Sequence, residues 1–535
     1  MAIDTRGARP VPRAAAGALP AGVAYETWIL GALICVYCWL FAPATADLAA
    51  AVFRSDLFDT NGVLIYNAQW YSGHHLPAYS LLSPPLGALL GTRLLAALST
   101  FGAIVAFERI VVPRYGTSGR VGAALFAVTA GSSLLIGRVA FAVGLFFGVL
   151  AVYFMVRNRF VLACVAAVGA ALGSPLAGFF LAMIAGVWFL ATRRLWGVAI
   201  AAAAVAPSLA LSFAFREGGT FPYGWISFLQ LVLFCLLFLL ALPRDEKVVR
   251  WITVAYLFVG LYAQLVPSQL GGNVNRLGTI VGAPLLAALL WERRRLMLLI
   301  ALPYLLWWPI HSVIRDLPDA GGAITESSYY RPLNVAIARA QRAAGEPARV
   351  EIPPTRNHWE GVYVGKHFEL ARGWERQLDQ KFANLFYGTV ITPENYYKWL
   401  RRNAVSYVAV MDGAADFAGR SEADFLIQHT PSYLREVWRN ENWVLYAVDR
   451  PTPLLSGPGR LVETTADSFT FDAERTGRFV MRLHYSQYWA VTVGSGCVAP
   501  ARGNFTEITV RRPGRVKVGM SFSPIRVVRQ GRRCS

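Results

Sequence analysis

The residues best suited to chemistry are two carboxylates in a polar stretch that follows the first long apolar run of the chain. Asp56 and Asp59 are three residues apart, so a helix would place both side chains on one face. A carboxylate there can draw a proton from an acceptor hydroxyl. A pair of carboxylates can instead share a divalent cation, Mg²⁺ or Mn²⁺. The alternative is a solvated loop in which one of the acids caps a helix.

The same stretch continues with amides, aromatic rings and two histidines. Aromatic rings stack on sugar faces and amides form directional hydrogen bonds, so these residues are candidates for binding a sugar or an acceptor: Asn67, Gln69, Trp70, Tyr71, His74 and His75. The histidines are also potential metal ligands, although most loop histidines are solvated. Later in the chain, Arg372 and Trp374 belong to a polar, aromatic segment that we expect to face the same cleft. The sequence leaves the full set of metal ligands unknown.

Long apolar runs must position these residues. The hydrophobic fraction is 55% and only 16% of residues are charged, whereas roughly 25% is usual in soluble domains. Several runs have the roughly 17–22 residues that cross a hydrocarbon core about 30 Å thick. The sequence therefore predicts an α-helical polytopic membrane domain with about eleven spans, near residues 27–45, 93–112, 119–137, 139–156, 160–173, 176–192, 195–214, 224–242, 250–267, 277–291 and 296–312.

The distribution of positive charge predicts the orientation of these spans. The net charge is +19, and much of it falls in alternate connections, such as Arg193 with Arg194 and the run 293–295, whereas the loops 173–178 and 267–275 contain no Lys or Arg. The positive-inside rule then places the N-terminus in the cytoplasm and the chain after Arg315 outside it. This pattern favours anionic lipid as the partner of the basic residues and argues against nucleic acid. The high content of Ala, Arg and Gly suggests a bacterium, so we expect the protein in the inner (plasma) membrane.

Two local patterns bear on processing and on redox state. The segment 42–46 resembles a signal-peptidase site, but the long N-terminal region favours a retained helix. Cys35, Cys38, Cys164 and Cys235 lie in apolar runs and are expected to be core residues. Cys497 and Cys534 lie in the predicted external region, where we expect them to form a disulfide.

The predicted domain organisation has four parts. Residues 1–26 form a cytoplasmic tail, and residues 27–312 form the membrane domain, with a first external loop at 46–92. Residues 313–450 alternate strand-like and helical patterns, which predicts an extracytoplasmic α/β domain. Residues 451–535 show short alternating runs broken by Gly and Pro, which is typical of a β-sandwich or jelly roll.

The layout of external acids, many spans and an external C-terminal region resembles the GT-C superfamily of integral-membrane glycosyltransferases. Within it, the segment 73–77, the closing segment 83–87 and the tail motifs at 484–489, 494–496, 513–514 and 522–524 resemble YfhO-type bacterial membrane proteins. The adjacent acidic pair usual in that group is replaced here by the spaced acids Asp56 and Asp59. The resemblance implies a GT-C-like fold and an inverting glycosyltransferase.

The resemblance also implies the reaction partners. A polyprenyl-phosphate-linked sugar would be the donor, a glycan or glycolipid of the cell envelope the acceptor, and Asp59, or else Asp56, the general base. The leaving phosphate needs a positive charge where negative charge develops. Arg276, in a glycine- and amide-rich turn, is the first candidate, followed by Arg54 and Arg138. Ordinary anchoring at the interface is the alternative for each arginine.

Two other classes of protein fit the same pattern of spans. A lipid or polysaccharide transporter should carry ionisable residues within its spans or inverted repeats, and the sequence has almost no charge there. A non-catalytic envelope-assembly or glycan-binding protein would keep the fold and would not need Asp56 or Asp59.

Overall fold

A computed structural model describes residues 24–318, 320–528 and 534 of the chain. Nearly all of the predicted cytoplasmic tail therefore lies outside the described residues. The first part of the chain is helical, with one short hairpin in the first external loop formed by β1 (Tyr66–Asn67) and β2 (His74–His75). Its helices are α1 (Tyr25–Phe41), α2 (Ala46–Asn61), α3 (Ser83–Leu90), α4 (Thr92–Leu135), α5 (Val139–Val156), α6 (Phe160–Gly173), α7 (Pro175–Thr192), α8 (Trp196–Ala214), α9 (Trp225–Ala241), α10 (Lys247–Leu265), α11 (Arg276–Leu290) and α12 (Arg295–Asp316).

Seven helices in the described residues are long and apolar enough to cross a membrane, or eight if the bent pair α1 and α2 counts as one span. Each of the eleven predicted runs falls on a helix, and α4 contains two of them. The backbone of α4 breaks at Gly116, whose φ of 55° and ψ of −125° are not helical. The prediction of a multi-pass, mainly helical membrane domain is confirmed, while the number of crossings stays a prediction.

The two ends of this helical domain differ in charge. At one end, the basic loops between helices contact each other through the ion pairs Arg114–Glu246 at 3.7 Å and Arg293–Asp245 at 3.4 Å. The first external loop and the connections around residues 215–224 and 266–275 lie at the other end, where the C-terminal part of the chain packs. This separation matches the charge pattern in the sequence, and the orientation relative to the cytoplasm stays a prediction.

An α/β layer follows the last apolar helix. Its sheet has the strand order β3-β4-β6-β5, with β3 parallel to β4 and the remaining neighbours antiparallel. Its elements are α13 (Ser327–Ala344), β3 (Arg349–Glu351), α14 (Glu360–Tyr363), α15 (Arg376–Phe382), α16 (Pro393–Arg402), β4 (Val405–Met411), α17 (Phe417–Gln428), β5 (Leu434–Arg439) and β6 (Trp443–Val448). Helix α16 begins with a capping box at Thr392 and Asn395.

The last part of the chain is a β-sandwich, as predicted. Two four-stranded sheets have the orders β12-β13-β10-β7 and β11-β14-β9-β8. Their strands are β7 (Leu455–Ser456), β8 (Gly459–Thr464), β9 (Ser468–Ala473), β10 (Gly477–His484), β11 (Trp489–Val493), β12 (Gly496–Pro500), β13 (Phe505–Val510) and β14 (Gly514–Met520), followed by the short helix α18 (Pro524–Val528). Cys497 and Cys534 form a disulfide that ties the end of the chain to β12.

Candidate active site

The start of α2 carries an acid that the sequence analysis did not select. Asp47 lies one turn or less from the beginning of α2, just after a bend of 74° between α1 and α2. Its Oδ2 is 3.2 Å from Nε of Arg138, in the turn between α4 and α5. Asp47 is the first acid after the first predicted span. This position is the one feature of the sequence that could have identified Asp47 as a site residue.

A glycine allows the α4–α5 turn to approach α2 this closely. Gly137 has a φ of +83°, and a Cβ placed on it would lie 2.7 Å from Oγ1 of Thr45 and 3.0 Å from the backbone nitrogen of Leu48. The Thr45 hydroxyl donates to the carbonyl of Ile136 at 2.6 Å. A side chain at position 137 would push the two segments apart and separate Asp47 from Arg138.

Arg276 is the second positive charge of this site. It begins α11, its guanidinium lies 5.4 Å from the ring centroid of Phe141, and it interacts electrostatically with Arg138, Asp47 and Tyr79. The Tyr256 hydroxyl holds the neighbouring turn, donating to the Val274 carbonyl at 2.7 Å and accepting from the Gly278 N–H at 3.1 Å. Within the described residues, Arg276 has no ion-pair partner of its own.

An apolar cavity is lined in part by Arg276. Its volume is about 250 Å³, and it lies between α4, α5, α7, α9, α10 and α11. Phe107, Phe141, Phe180 and Phe238 contribute to its wall. Arg276 is the one charged residue among those that line it. This combination suits a ligand with a hydrocarbon chain and an anionic head.

The α/β domain reaches the same end of α2 through Trp374. Its indole Nε1 donates to the carbonyl of Ala46 at 2.6 Å, directly beside Asp47. The indole ring stacks on the imidazole of His358, with 3.5 Å between centroids and 8° between planes, and the guanidinium of Arg376 lies 4.9 Å from the Trp374 ring centroid. Trp374, predicted to bind sugar, therefore contacts the backbone next to the acid.

His358 is held between two carboxylates. Its ring nitrogens lie 3.5 Å from Glu360 and 3.8 Å from Asp416. Burial by itself lowers the pKa of His358, but the nearby carboxylates of Asp416 and Glu360 outweigh burial and raise this pKa above its usual value. A positively charged imidazole against the Trp374 ring favours the stacked arrangement.

The structure buries the aromatic residues of the first external loop. The Trp70 indole donates to the Gly361 carbonyl at 3.1 Å and stacks on Phe53 at 3.9 Å. The Tyr71 hydroxyl donates to the Gly373 carbonyl at 2.6 Å. His74 lies between the Trp70 and Tyr71 rings, and burial lowers its pKa to about 4. These three predicted sugar-binding residues are core contacts between the loop and the α/β domain.

The other residues of this loop that were predicted to bind a sugar or the glycan acceptor also form contacts within the protein. Asn67 accepts from the Gln69 N–H at 3.0 Å, and the Gln69 amide donates to the carbonyl of Lys366 at 3.2 Å. His75 pairs with Glu217 at 2.8 Å and bonds to the hydroxyl of Ser486 at 2.9 Å.

Arg372 lies in the interior of the α/β domain instead of a cleft. It bonds to both oxygens of Asp379, at 2.9 and 2.6 Å, and to Glu422 at 3.1 Å. All three side chains are buried. These carboxylates accept hydrogen bonds from the guanidinium N–H groups that would otherwise bind a sugar or a phosphate.

The other arginine predicted to bind phosphate, Arg54, is buried in the middle of α2. It forms an ion pair with Glu375, and its guanidinium lies 4.4 Å from the centroid of the Tyr79 ring. Arg138 and Arg276 therefore meet beside Asp47, whereas Arg54 faces the α/β domain.

The two predicted acids lie at the opposite end of α2. With a rise of 1.5 Å per residue, Asp56 and Asp59 are roughly 14 and 18 Å further along the helix than Asp47. Asp56 is 3.5 Å from Lys366, and Asp59 is exposed. Both lie in a helix, the case in which their spacing places them on one face. The structure does not bring them to Arg276.

Comparison with known proteins gives structural likeness only. No protein-family model and no curated protein matches the chain. The chain is similar to the arabinofuranosyltransferase AftD from Mycobacteria, with 12% identity and a TM-score of 0.46 over 95% of this chain and 58% of that one. It is also similar to the oligosaccharyltransferase AglB from Archaeoglobus fulgidus in complex with an inhibitory peptide and a dolichol-phosphate, with 12% identity and a TM-score of 0.47, over 72% of this chain and 69% of that one.

The chain thus spans less than two thirds of the length of AftD. Likeness at TM-scores below 0.5 does not assign a function to this chain.

Proposed function

We propose that the protein is a membrane glycosyltransferase that moves a sugar from a polyprenyl-phosphate donor to a hydroxyl of an envelope glycan or glycolipid. The observation that carries this proposal is the apolar cavity of about 250 Å³ whose one charged lining residue, Arg276, interacts with Asp47 and Arg138. A lipid chain would occupy the cavity and its phosphate would meet Arg276. A sugar on that phosphate would then lie beside a carboxylate.

The residues have distinct roles in the proposed reaction. Asp47 takes the proton of the acceptor hydroxyl as the acceptor oxygen bonds to the anomeric carbon, and the bond from that carbon to the phosphate oxygen breaks. Attack opposite to the leaving phosphate inverts the anomeric centre. Arg276, with Arg138 beside it, stabilises the negative charge that develops on the polyprenyl phosphate. The proton on Asp47 returns to water after release.

Asp47 is our first choice as the base, in place of Asp59 and Asp56. Asp47 pairs with Arg138 and lies within electrostatic range of Arg276, whereas the other two acids lie roughly 14 Å or more further along α2. Oδ2 of Asp47 pairs with Nε of Arg138 at 3.2 Å. Binding of the donor phosphate to Arg138 and Arg276 would release Asp47 from this pair.

A divalent cation is not part of these steps. The described residues contain no cluster of three His, Cys, Asp or Glu side chains that would hold Mg²⁺ or Mn²⁺. A cation that arrives with the donor phosphate is a separate proposal. Addition of EDTA to the transfer assay tests this proposal. If a cation takes part, the rate of transfer falls and excess Mg²⁺ or Mn²⁺ restores it.

The decisive experiment compares acids at the two ends of α2. Membranes containing the unaltered protein, Asp47→Asn or Asp59→Asn receive labelled polyprenyl-phosphate arabinose or mannose and a glycolipid acceptor, and transfer is measured at equal protein amounts. We expect Asp47→Asn to lower the rate about 100-fold or more, the usual effect of removing a general base, and Asp59→Asn to leave it within about twofold.

Other outcomes have definite meanings. Loss of transfer in Asp59→Asn with normal transfer in Asp47→Asn would return the base to Asp59. If the unaltered protein transfers neither sugar to any acceptor in the panel, the glycosyltransferase proposal is overturned and the envelope-assembly function takes its place.

A further inference from the structure

The β-sandwich rests on the outer end of a membrane-crossing helix. The hydroxyl of Tyr488 donates to the carbonyl of Ala214, the last residue of α8, at 2.8 Å, and the amide of Gln487 donates to the same carbonyl at 3.3 Å. Since α8 is one of the helices apolar enough to span a bilayer, these contacts fix the height of the sandwich at the membrane surface.

An aromatic cluster continues this contact toward the C-terminus. Phe215 lies 5.4 Å from the Tyr488 ring and 6.1 Å from the Phe522 ring, and Phe522 lies 5.5 Å from Tyr488. Arg526 donates to the carbonyls of Tyr488 and Ser521, which holds α18 against the cluster. The position of α18 relative to the end of α8 is therefore set by side-chain and backbone contacts together.

Apolar side chains remain uncovered on both sides of this cluster. Phe522 is 54% exposed and Ile525, in α18, is 66% exposed. On α8, Leu209 and Phe213 are also exposed, and only 17% of the apolar stretch of this helix is buried within the protein. The exposed apolar residues of α8 and of the sandwich thus lie close together, because Phe215, directly after α8, contacts Phe522. The guanidinium of Arg216 lies 5.2 Å from the Phe213 ring centroid, as is common for an arginine at a membrane interface. Contiguous apolar surface next to a spanning helix is expected to contact lipid.

We propose that α18 and Phe522 form a second membrane contact of the protein, in which Phe522 and Ile525 insert between the headgroups of the leaflet on the side of the C-terminal domains. The partner is the bilayer itself, since the surface adjoins that of a spanning helix. This contact would hold the sandwich, and through it the α/β domain, at a constant tilt over the membrane. The proposal holds whatever reaction the protein catalyses.

Spin labels in the full-length protein test this contact in nanodiscs of phosphatidylglycerol and phosphatidylethanolamine. Single cysteines replace Ile525, Phe213 or Val462 in a Cys164→Ala background, because Cys164 is the partly exposed free cysteine. Phe213 is the lipid-facing reference. Val462 is the aqueous reference, since it is exposed on β8, at the opposite edge of the sheet from β11 and hence roughly 14 Å from it.

We expect the label at position 525 to resemble that at 213, with a ratio of oxygen to nickel-chelate accessibility several times the ratio at 462. All three sites are exposed, so the labels should leave the fold unchanged, and a melting temperature for each labelled protein checks this. A water-like label at 525 beside a lipid-like label at 213 would overturn the proposal. So would a lipid-like label at 462, because the sandwich would then lie on another face.

Discussion

The two ends of α2 carry acids in opposite surroundings. At the N-terminal end, Asp47 lies against Arg138, a close-packed glycine turn and the indole of Trp374. At the C-terminal end, Asp56 forms an exposed pair with Lys366, and Asp59 is exposed. The same residue type on the same helix thus lies among an arginine, a close-packed turn and an indole at one end, and beside a single exposed lysine or in solvent at the other. Carboxylate chemistry depends on this difference more than on the local sequence.

The largest effect should follow from removing the charge at the mouth of the cavity. We expect Arg276→Gln to lower sugar transfer about 100-fold or more, because a preorganised charge facing the leaving group is lost. Arg276→Lys keeps a positive charge and should recover part of the rate. The measurement is the single-turnover rate with a saturating polyprenyl-phosphate sugar. An unchanged rate in both variants would remove Arg276 from the site.

A glycine lies beside each end of α2, and replacing each one with alanine compares the packing at the two ends. Gly137→Ala should lower the free energy of unfolding by about 2 kcal/mol or more, because the new Cβ meets Thr45 and Leu48 and the φ of +83° is unfavourable for alanine. Gly62, at the C-terminal end, has a φ of +71° but nothing within 4 Å of a new Cβ. Gly62→Ala should therefore show only a backbone penalty, about 1–3 kcal/mol because a φ of 71° with a ψ of −145° favours glycine.

Thermal unfolding in detergent measures both variants, and transfer assays follow. The Gly137 variant should lose activity as well as stability, since Asp47 and Arg138 are pushed apart. Equal destabilisation by the two substitutions would show that the close approach at Gly137 has no special importance.

Trp374→Phe should have a smaller effect that is confined to the N-terminal end. The substitution keeps an aromatic ring at position 374 but removes the hydrogen bond to the Ala46 carbonyl. This bond is worth about 1 kcal/mol, or about fivefold in rate. We expect a lower kcat with an unchanged KM for the donor. Trp70→Phe is the control, because it removes an indole bond to Gly361, away from Asp47. A matching fall in kcat for Trp70→Phe would assign both effects to general loosening.

The stacking of His358 on Trp374 predicts a pH dependence. The folded-state pKa of His358 is raised above its unfolded value, so its stabilising contribution is complete below about pH 6.5 and is lost as the pH rises through the folded pKa. The groups facing it are Glu360, Asp416 and the Trp374 ring, with Arg376 beyond. We expect kcat to fall a few-fold between pH 6.5 and 9 and this fall to flatten in His358→Gln. The same fall in the variant would assign the dependence to another group.

The smallest effect is expected at the exposed end of α2. Lys366→Gln removes the partner of Asp56, and both side chains are about half exposed, so the pair contributes at most about 1 kcal/mol. Transfer and melting temperature should stay close to those of the unaltered protein. A tenfold loss of transfer would instead restore the sequence-based choice of Asp56 and Asp59.

The architecture could be predicted because it depends on local patterns. Each predicted apolar run falls on a helix, and the alternating runs after residue 451 become the two sheets of the sandwich. Length and periodicity report directly on burial in a bilayer or in a sheet. The break in α4 illustrates the limit, since two predicted runs join in one long element interrupted at Gly116.

The site was less predictable because its contacts are distant in sequence. Asp47 and Arg138 are 91 residues apart, and no motif near Asp47 in the sequence indicates its partner. Trp70 and Tyr71 have the composition of a sugar platform, yet residues about 300 positions later cover them. Only tertiary packing distinguishes a ring that stacks on a ligand from one that stacks on its own protein.

The hairpin of β1 and β2 has a consequence for how the chain is made. The Tyr66 hydroxyl bonds to the carbonyl of His484, 418 residues later, and Trp70 bonds to Gly361, 291 residues later. The aromatic rings of the first external loop therefore stay uncovered during synthesis until nearly the whole polypeptide has been made. Contacts of such long range form last and slowly. The loop that emerges first is completed only at the end of biogenesis, so a truncated chain leaves it open to proteases and chaperones.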